Sequence, residues 1–316
     1  MNNIETIKSI DDGENTKMHI LITGVSSFIG STVAKWLVNT GYRVTATVRD
    51  KETSTVYTIK RFHSNVEFAL VDIGDKSTFG NLPARVDAVI HMAALAPSSD
   101  VSIEEMLVIN TIGTNNVLQY AMRAGAQRII FLSSLSVHGD IEDLMVDENT
   151  PIKNPAVYGA TKYIGERMLF STSETMPAIA IRLPGVVGSG AFRSWMPNLV
   201  QQLQASLPVE IVGSEMPFNS VIHVSDIASL IMALLKKPSI DGFQAFPIAA
   251  SGQMKIREVV NYIHNKLQSQ STIVVKSEKS RYRTVSSKYA SDVYGFSPMT
   301  IQDLLSKYCS EILASG

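Results

Sequence analysis

The stretch MHILITGVSSFIGSTVAKWLVNTG (18–41) reads, in order, as a short apolar strand, a turn of small residues and an amphipathic helix. Its centre, ITGVSSFIGS (22–31), lies where backbone N–H groups and the positive end of a helix can hold a pyrophosphate. Close approach of a phosphate wants little or no side chain at Gly24, Ser27 and Gly30, and the middle one here is serine. The helix has apolar residues at helical spacing and stops at Gly41, which can take the left-handed C-terminal conformation cheaply.

Outward from this unit the same alternation continues. RVTATV (43–48), VEFALV (66–71), DAVIHM (87–92) and QRIIFLSS (127–134) read as further strands separated by helical stretches. SIEEMLVINTIGTNNVLQYAMRAG (102–125) opens with a Ser cap, carries Glu104 and Glu105 in its first turn and stops at Gly125. Strands alternating with helices predict an α/β fold with a doubly wound parallel sheet. After about residue 183 the alternation loosens around LPGVVGSG (183–190) and VGSEMP (212–217). The expected division is a disordered leader at 1–17, a dinucleotide-binding domain at 18–183 plus 215–250, and a smaller mixed substrate lobe at 184–214 plus 251–316.

Composition removes several function classes. The chain has 316 residues, 45% hydrophobic and 18% charged, which is ordinary globular usage. A formal net charge of −1 offers no general attraction for nucleic acid or an anionic membrane. The single cysteine, Cys309, cannot form an internal disulfide, and six scattered histidines give no zinc spacing, so no metal is expected. The polar, acidic amino terminus does not read as a secretory signal, and no apolar run is long enough to span a bilayer. A cytoplasmic protein is expected.

A series of motifs in order resembles the extended short-chain dehydrogenase/reductase family, the group of NAD-dependent epimerases and dehydratases. They are Thr23, Gly24 and Gly30 in the first loop, Asp72-Ile73 after the third strand, and His91-Met92-Ala93-Ala94 after the fourth, followed by Asn110. SSLSVHG (133–139), YGATK (158–162), IRLPGVVGSG (181–190), VIHVSDIA (221–228) and YGFSP (294–298) continue the series. The resemblance implies a Rossmann-type domain. It also implies cofactor contacts at Thr23, Gly24, Ser27, Phe28, Ile29, Gly30, Arg49, Asp72, Ile73, Met92, Ala93, Ala94, Tyr158 and Lys162. An acid at the end of the second strand would hold both ribose hydroxyls, whereas an arginine attracts a 2′-phosphate. ATVRD (46–50) puts Arg49 there and Asp50 one place on, similar to NADPH-using carbonyl reductases of the family, so NADP is expected in preference to NAD.

Tyr158 and Lys162 are four apart in a helical stretch and so share a face. An ammonium beside a phenol favours the phenolate, which suits a proton exchanger near neutral pH. The resemblance places the catalytic hydroxyl on Ser134, with Ser136 as runner-up, and hydride transfer at a carbinol carbon as the chemistry. His138 stands where the family usually carries tyrosine and reads as a packing residue. Family dehydratases carry an Asp-Glu pair directly after this hydroxyl, and Leu135-Ser136 stands here instead, so dehydration is disfavoured. Pro184-Gly185 replaces an asparagine that touches the sugar diphosphate in many relatives. In the basic-rich run KSEKSRYR (276–283), Arg281 and Arg283 are the candidates for a substrate diphosphate. His223 and Asp226 admit a structural reading, with Ser225 or Asp226 capping a helix.

Three readings follow. The first is an epimerase or 4-ketoreductase acting at C4 of a nucleoside-diphosphate sugar, working as a homodimer through the helices near 102–124 and 155–171. The second is an NADPH-dependent reductase of a non-sugar carbonyl compound with the same three catalytic residues. The third is an inert protein that keeps the cofactor-binding fold.

Overall fold

A computed structural model describes residues 18–49, 66–192, 194–276 and 283–315. The leader at 1–17, Asp50 and Arg281 therefore lie outside the described residues. One seven-stranded sheet is formed by β1 (His19–Thr23), β2 (Arg43–Val48), β3 (Val66–Leu70), β4 (Ala88–His91), β5 (Arg128–Ser134), β6 (Ala178–Leu183) and β7 (Phe243–Pro247). Its spatial order is β3-β2-β1-β4-β5-β6-β7, and every neighbouring pair is parallel. The order reverses beside β1, which opens a crevice at the carboxyl ends of β1 and β4, where open α/β sheets bind ligands.

The helices are α1 (Phe28–Asn39), α2 (Ile103–Leu107), α3 (Thr114–Arg123), α4 (Val157–Thr172), α5 (Trp195–Gln204), α6 (Val224–Lys236), α7 (Ile256–Lys266), α8 (Lys288–Tyr294) and α9 (Ile301–Ser315). β4 and β6 are buried along their whole length, and Ile20, Leu21 and Ile22 of β1 are fully buried. Such continuous apolar runs, rather than alternation, are what a sheet covered on both faces demands. Residues of α1 and α6 fill the core on one face, and residues of α3 and α4 fill it on the other.

Gly41 and Gly125 end their helices at positive φ, as the sequence predicts. The stretch 102–125, read as a single helix, differs in detail. Ser102 and Glu105 form a capping box, but a π-helical turn, Val108–Gly113, joins α2 to α3. The wider turn is stabilised locally, because the Thr111 and Thr114 hydroxyls donate to the carbonyls of Leu107 and Asn110.

A third apolar cluster gathers α5, α7 and α9 away from the sheet. Ala290, Tyr294 and Phe296 fall in the carboxyl-terminal stretch assigned to that lobe by sequence, but they pack into the sheet's own core.

Candidate active site

Three cavities run along the carboxyl edge of the sheet and share walls. The first, about 250 Å³, lies over β1 and is lined by Gly24, Ser27, Arg49, Asp72, Ile73 and Met92-Ala93-Ala94 among others. The second, about 310 Å³, shares Ser27, Met92 and Ala94 with it and adds Phe28, Ile29, Ser134, Tyr158 and Lys162. The third, about 430 Å³, shares Gly185 and Ser194 with the second and is walled by Ser136, Trp195, Phe218 and Arg283.

Gly24 shapes the first cavity through its backbone. Its φ is +76°, and a Cβ there would lie 2.7 Å from the Ala93 nitrogen. Only glycine allows this approach, and a cradle of that kind suits a pyrophosphate. The Ser27 hydroxyl turns inward on its own loop, donating to the Gly24 carbonyl at 2.7 Å and accepting from the Gly30 N–H at 3.0 Å. It thus caps α1 and uses one N–H, while those of Phe28 and Ile29 have no intrahelical acceptor to reach.

Thr23 departs from the expected cofactor contact. It is wholly buried and lines none of the three cavities. Its oxygen accepts from the N–H groups of Met92 and Ala93, so its proton goes to His91 Nδ1 at 2.7 Å. His91 Nε2–H then donates to Thr114 Oγ1, whose own proton goes to the Asn110 carbonyl. This chain of donors makes His91 a neutral imidazole. Burial first, then the charge of Lys162, pulls its pKa down to about 3.

Asn110 in the π turn clamps the next loop. Its amide donates to the Leu95 carbonyl and to Thr161 Oγ1 and accepts from the Leu95 N–H. Thr161 donates in turn to the Tyr158 carbonyl, so β1, the loop after β4 and α4 form one hydrogen-bonded unit. The role of Asn110 was not legible in the chain, because an asparagine inside a helical pattern carries no sign of where its amide points.

The α4 residues approach the end of β5 closely. A Cβ on Gly159 would lie 2.0 Å from the Ser136 carbonyl oxygen, so only glycine lets the turn carrying Tyr158 meet the Ser134–Ser136 turn. Ser134 caps a short 3-10 turn, accepting from the Ser136 N–H, and its hydroxyl donates to Ser136 Oγ. Of the two serines, Ser134 lines the second cavity with Tyr158, and Ser136 lines the third.

Burial pushes the Tyr158 phenol up, and a hydrogen bond with Ser134 opposes that rise. Lys162 is buried with Nζ 3.9 Å from the centre of the Phe131 ring. Burial pulls its ammonium down to about 7, opposed by Glu166.

Arg283 donates to the Ile141 carbonyl at 2.8 Å and lines the third cavity. At Gly185 a Cβ would lie 3.3 Å from Ser194 Oγ, so the serine hydroxyl occupies the space beside the missing side chain. His223 and Asp226 line none of these cavities. His223 accepts from the Ser225 N–H as the cap of α6, and Asp226 accepts from the Met299 N–H. Among the described residues no group of three or more His, Cys, Asp or Glu side chains could hold a metal ion. No described helix is long and apolar enough to cross a membrane.

Residues 20–249 match the family model described as NAD dependent epimerase/dehydratase family. The UDP-glucose 4-epimerase of Neisseria gonorrhoeae is 27% identical over 275 residues, covering 77% of this chain and 81% of that protein. The UDP-N-acetyl-alpha-D-glucosaminuronate decarboxylase of Bacillus cytotoxicus is 25% identical over 273 residues, covering 82% and 83%. Among solved structures, the Bordetella bronchiseptica enzyme WbmG in complex with NAD superposes with a TM-score of 0.81 at 18% identity, covering 96% of this chain and 97% of that one, a likeness of fold.

Proposed function

The chain belongs to the NAD dependent epimerase/dehydratase family, and from that premise we propose that it inverts C4 of a nucleoside-diphosphate sugar through a transient 4-keto form. One observation carries this reading. Ser134, Tyr158 and Lys162 face the middle cavity, between the glycine cradle and the cavity that holds Arg283.

The cradle fits a dinucleotide, since Gly24 lines the first cavity without a side chain, the place of its Cβ being taken by the Ala93 backbone, and helix N–H groups adjoin it. Gly24, Ser27, Phe28 and Ile29 would hold the pyrophosphate, Asp72 and Ile73 the adenine end, Arg49 the ribose beside it, and Met92, Ala93 and Ala94 the rear wall, whereas Gly30, expected to join them, lines neither cavity and gives its N–H to Ser27. When bound, the dinucleotide supplies the acceptor and then the donor of the C4 hydride. Tyr158 takes the C4 hydroxyl proton as the carbonyl forms and returns it when the carbonyl is reduced from its other face. The Ser134 hydroxyl donates to the reacting oxygen, and the Lys162 ammonium reaches a ribose hydroxyl. Arg283 meets the sugar diphosphate from the far side, and its partner in the sequence reading, Arg281, belongs to the same proposal.

Purified protein given UDP-glucose, UDP-galactose or their uronic acid and N-acetyl forms tests this. Formation of the C4 epimer without net change in nicotinamide absorbance supports it. A protein that holds its dinucleotide and converts none of the panel overturns it and leaves the reductase and inert readings.

A second reading, an NADPH-dependent carbonyl reductase, is favoured by Arg49, which lines the first cavity where a 2′-phosphate would approach. It requires stoichiometric NADPH consumption with a 4-keto sugar nucleotide or a non-sugar ketone. Exposed Ile103, Leu107, Val157, Ile164 and Phe170 on α2 and α4 support a homodimer, which light scattering would test.

A further inference from the structure

We propose that Glu166 is a positioning residue of this site: a buried carboxylate that keeps the Lys162 ammonium charged and, through Ser133, fixes the strand end that presents Ser134. The proposal rests on the reading of the cleft as a dinucleotide site.

Glu166 is 1% exposed and lies one helical turn beyond Lys162 on α4, hence on the same side of the helix. The Ser133 hydroxyl donates to its Oε1 at 2.6 Å. Arg182 on β6 donates from Nε to Oε1 at 3.1 Å and from Nη2 to Oε2 at 2.8 Å. Both carboxylate oxygens are thus answered by buried donors. The Ser133 hydroxyl is thereby committed to Glu166, and the next residue along the strand, Ser134, lines the cavity beside it.

The surroundings of Lys162 leave Glu166 as the group that can hold its proton. From β4 it meets His91, which is neutral in its chain of threonine hydroxyls. From β5 it meets the Phe131 ring face, whose quadrupole attracts a cation only weakly. On α4 it has Tyr158 on one side and Glu166 on the other. Arg182 lies behind the carboxylate, with the His138 ring 3.5 Å beyond it, and burial keeps that ring's pKa low. Burial acts against the ammonium, and Glu166 opposes it. A pair needed only to join α4 to β6 would have no reason to sit one turn from the buried lysine or to bind the serine next to Ser134.

The test is NADH affinity measured by fluorescence from pH 5 to 10, NADH being chosen because it lacks a 2′-phosphate that would titrate in this range. In the wild type, affinity falls as Lys162 loses its proton, and Lys162→Met abolishes the pH break. Glu166→Gln keeps the shape and a hydrogen-bond acceptor but not the charge, so the break should move to lower pH by about one unit or more. If that variant does not fold because Arg182 is left unpaired, Glu166→Gln with Arg182→Met removes both charges and should shift the break in the same direction by less, since the guanidinium that repels the ammonium is lost too. An unchanged break in either folded variant overturns the proposal and leaves the cofactor reading intact. A wild type that binds neither NADH nor NADPH overturns both.

Discussion

The first cavity takes most of its walls from residues at or just past the ends of four sheet strands, at 24–27, 47–49, 71–73 and 92–95, whereas the third takes most of its walls from 135–141, 194–196, 218–221 and 283–285. In the first, the decisive atoms belong to the backbone, at Gly24 and at the start of α1. In the third they are side chains brought together from distant segments. Parallel sheet topology places the first wherever the strand order reverses, so its walls occur at readable offsets along the chain. No comparable rule governs the third. The middle cavity joins the two, and its chemistry depends on ionisable groups whose behaviour is set by burial.

Four outcomes would break or sharpen this contrast. The largest effect is expected at the join. Tyr158→Phe should lower turnover on the order of 10^3-fold, the scale of lost general acid–base catalysis, while dinucleotide affinity stays within a few-fold. Equal loss of both in a binding titration would mean that the phenol belongs to the cradle instead. Next comes Gly24→Ala, which forces a side chain into positive φ at a cost of roughly 1–2 kcal/mol and against the Ala93 backbone. Calorimetry should show dinucleotide binding weakened about tenfold or more, with a lower Tm. If binding is untouched, the cradle is not made by backbone.

The two ends should then separate cleanly. Arg283→Ala should raise the KM for a sugar nucleotide by roughly tenfold without affecting dinucleotide binding, as expected for loss of one charge-assisted contact. Arg49→Ala should do the reverse, weakening NADPH by a similar factor and leaving NADH unchanged. Crossed effects would show that the cavities do not divide the ligands as proposed.

The last outcome concerns stability. His91 has a folded pKa depressed to about 3 from 6.5, so the unfolded chain binds the extra proton between those values. Its contribution is complete above the unfolded value and is lost as pH falls through that window, by about 2 kcal/mol between pH 6.5 and 5. Urea unfolding of His91→Gln should show a shallower loss of stability over that range. An identical slope would mean that the ring is already charged in the native state.

Much of the fold and part of the site were legible. Strand and helix patterns locate β1 to β5 and α1 to within a residue or two, because both periods follow from burying one face of a regular backbone. The Tyr158–Lys162 spacing is legible for the same reason, since four residues on a helix share a face. The role of Thr23 was misread, since a threonine in a nucleotide loop gives no sign that its hydroxyl points down to His91 instead of up to the cavity. Glu166 was invisible, since in GERML (165–169) it looks like one charge on a solvated helix face.

By itself, then, the chain determined the order of elements, the crevice beside β1 and the pairing of Tyr158 with Lys162 on one helix face, because these depend on local periodicity and on the short reach of side chains along one element. Only the tertiary structure decided that Thr23 and His91 are spent on each other, that Ser134 rather than Ser136 meets Tyr158, and that Glu166 and Arg182 form a buried pair behind Lys162. Those outcomes depend on which groups lose their water together. Desolvation is a property of packed surroundings, and residues far apart in sequence supply them.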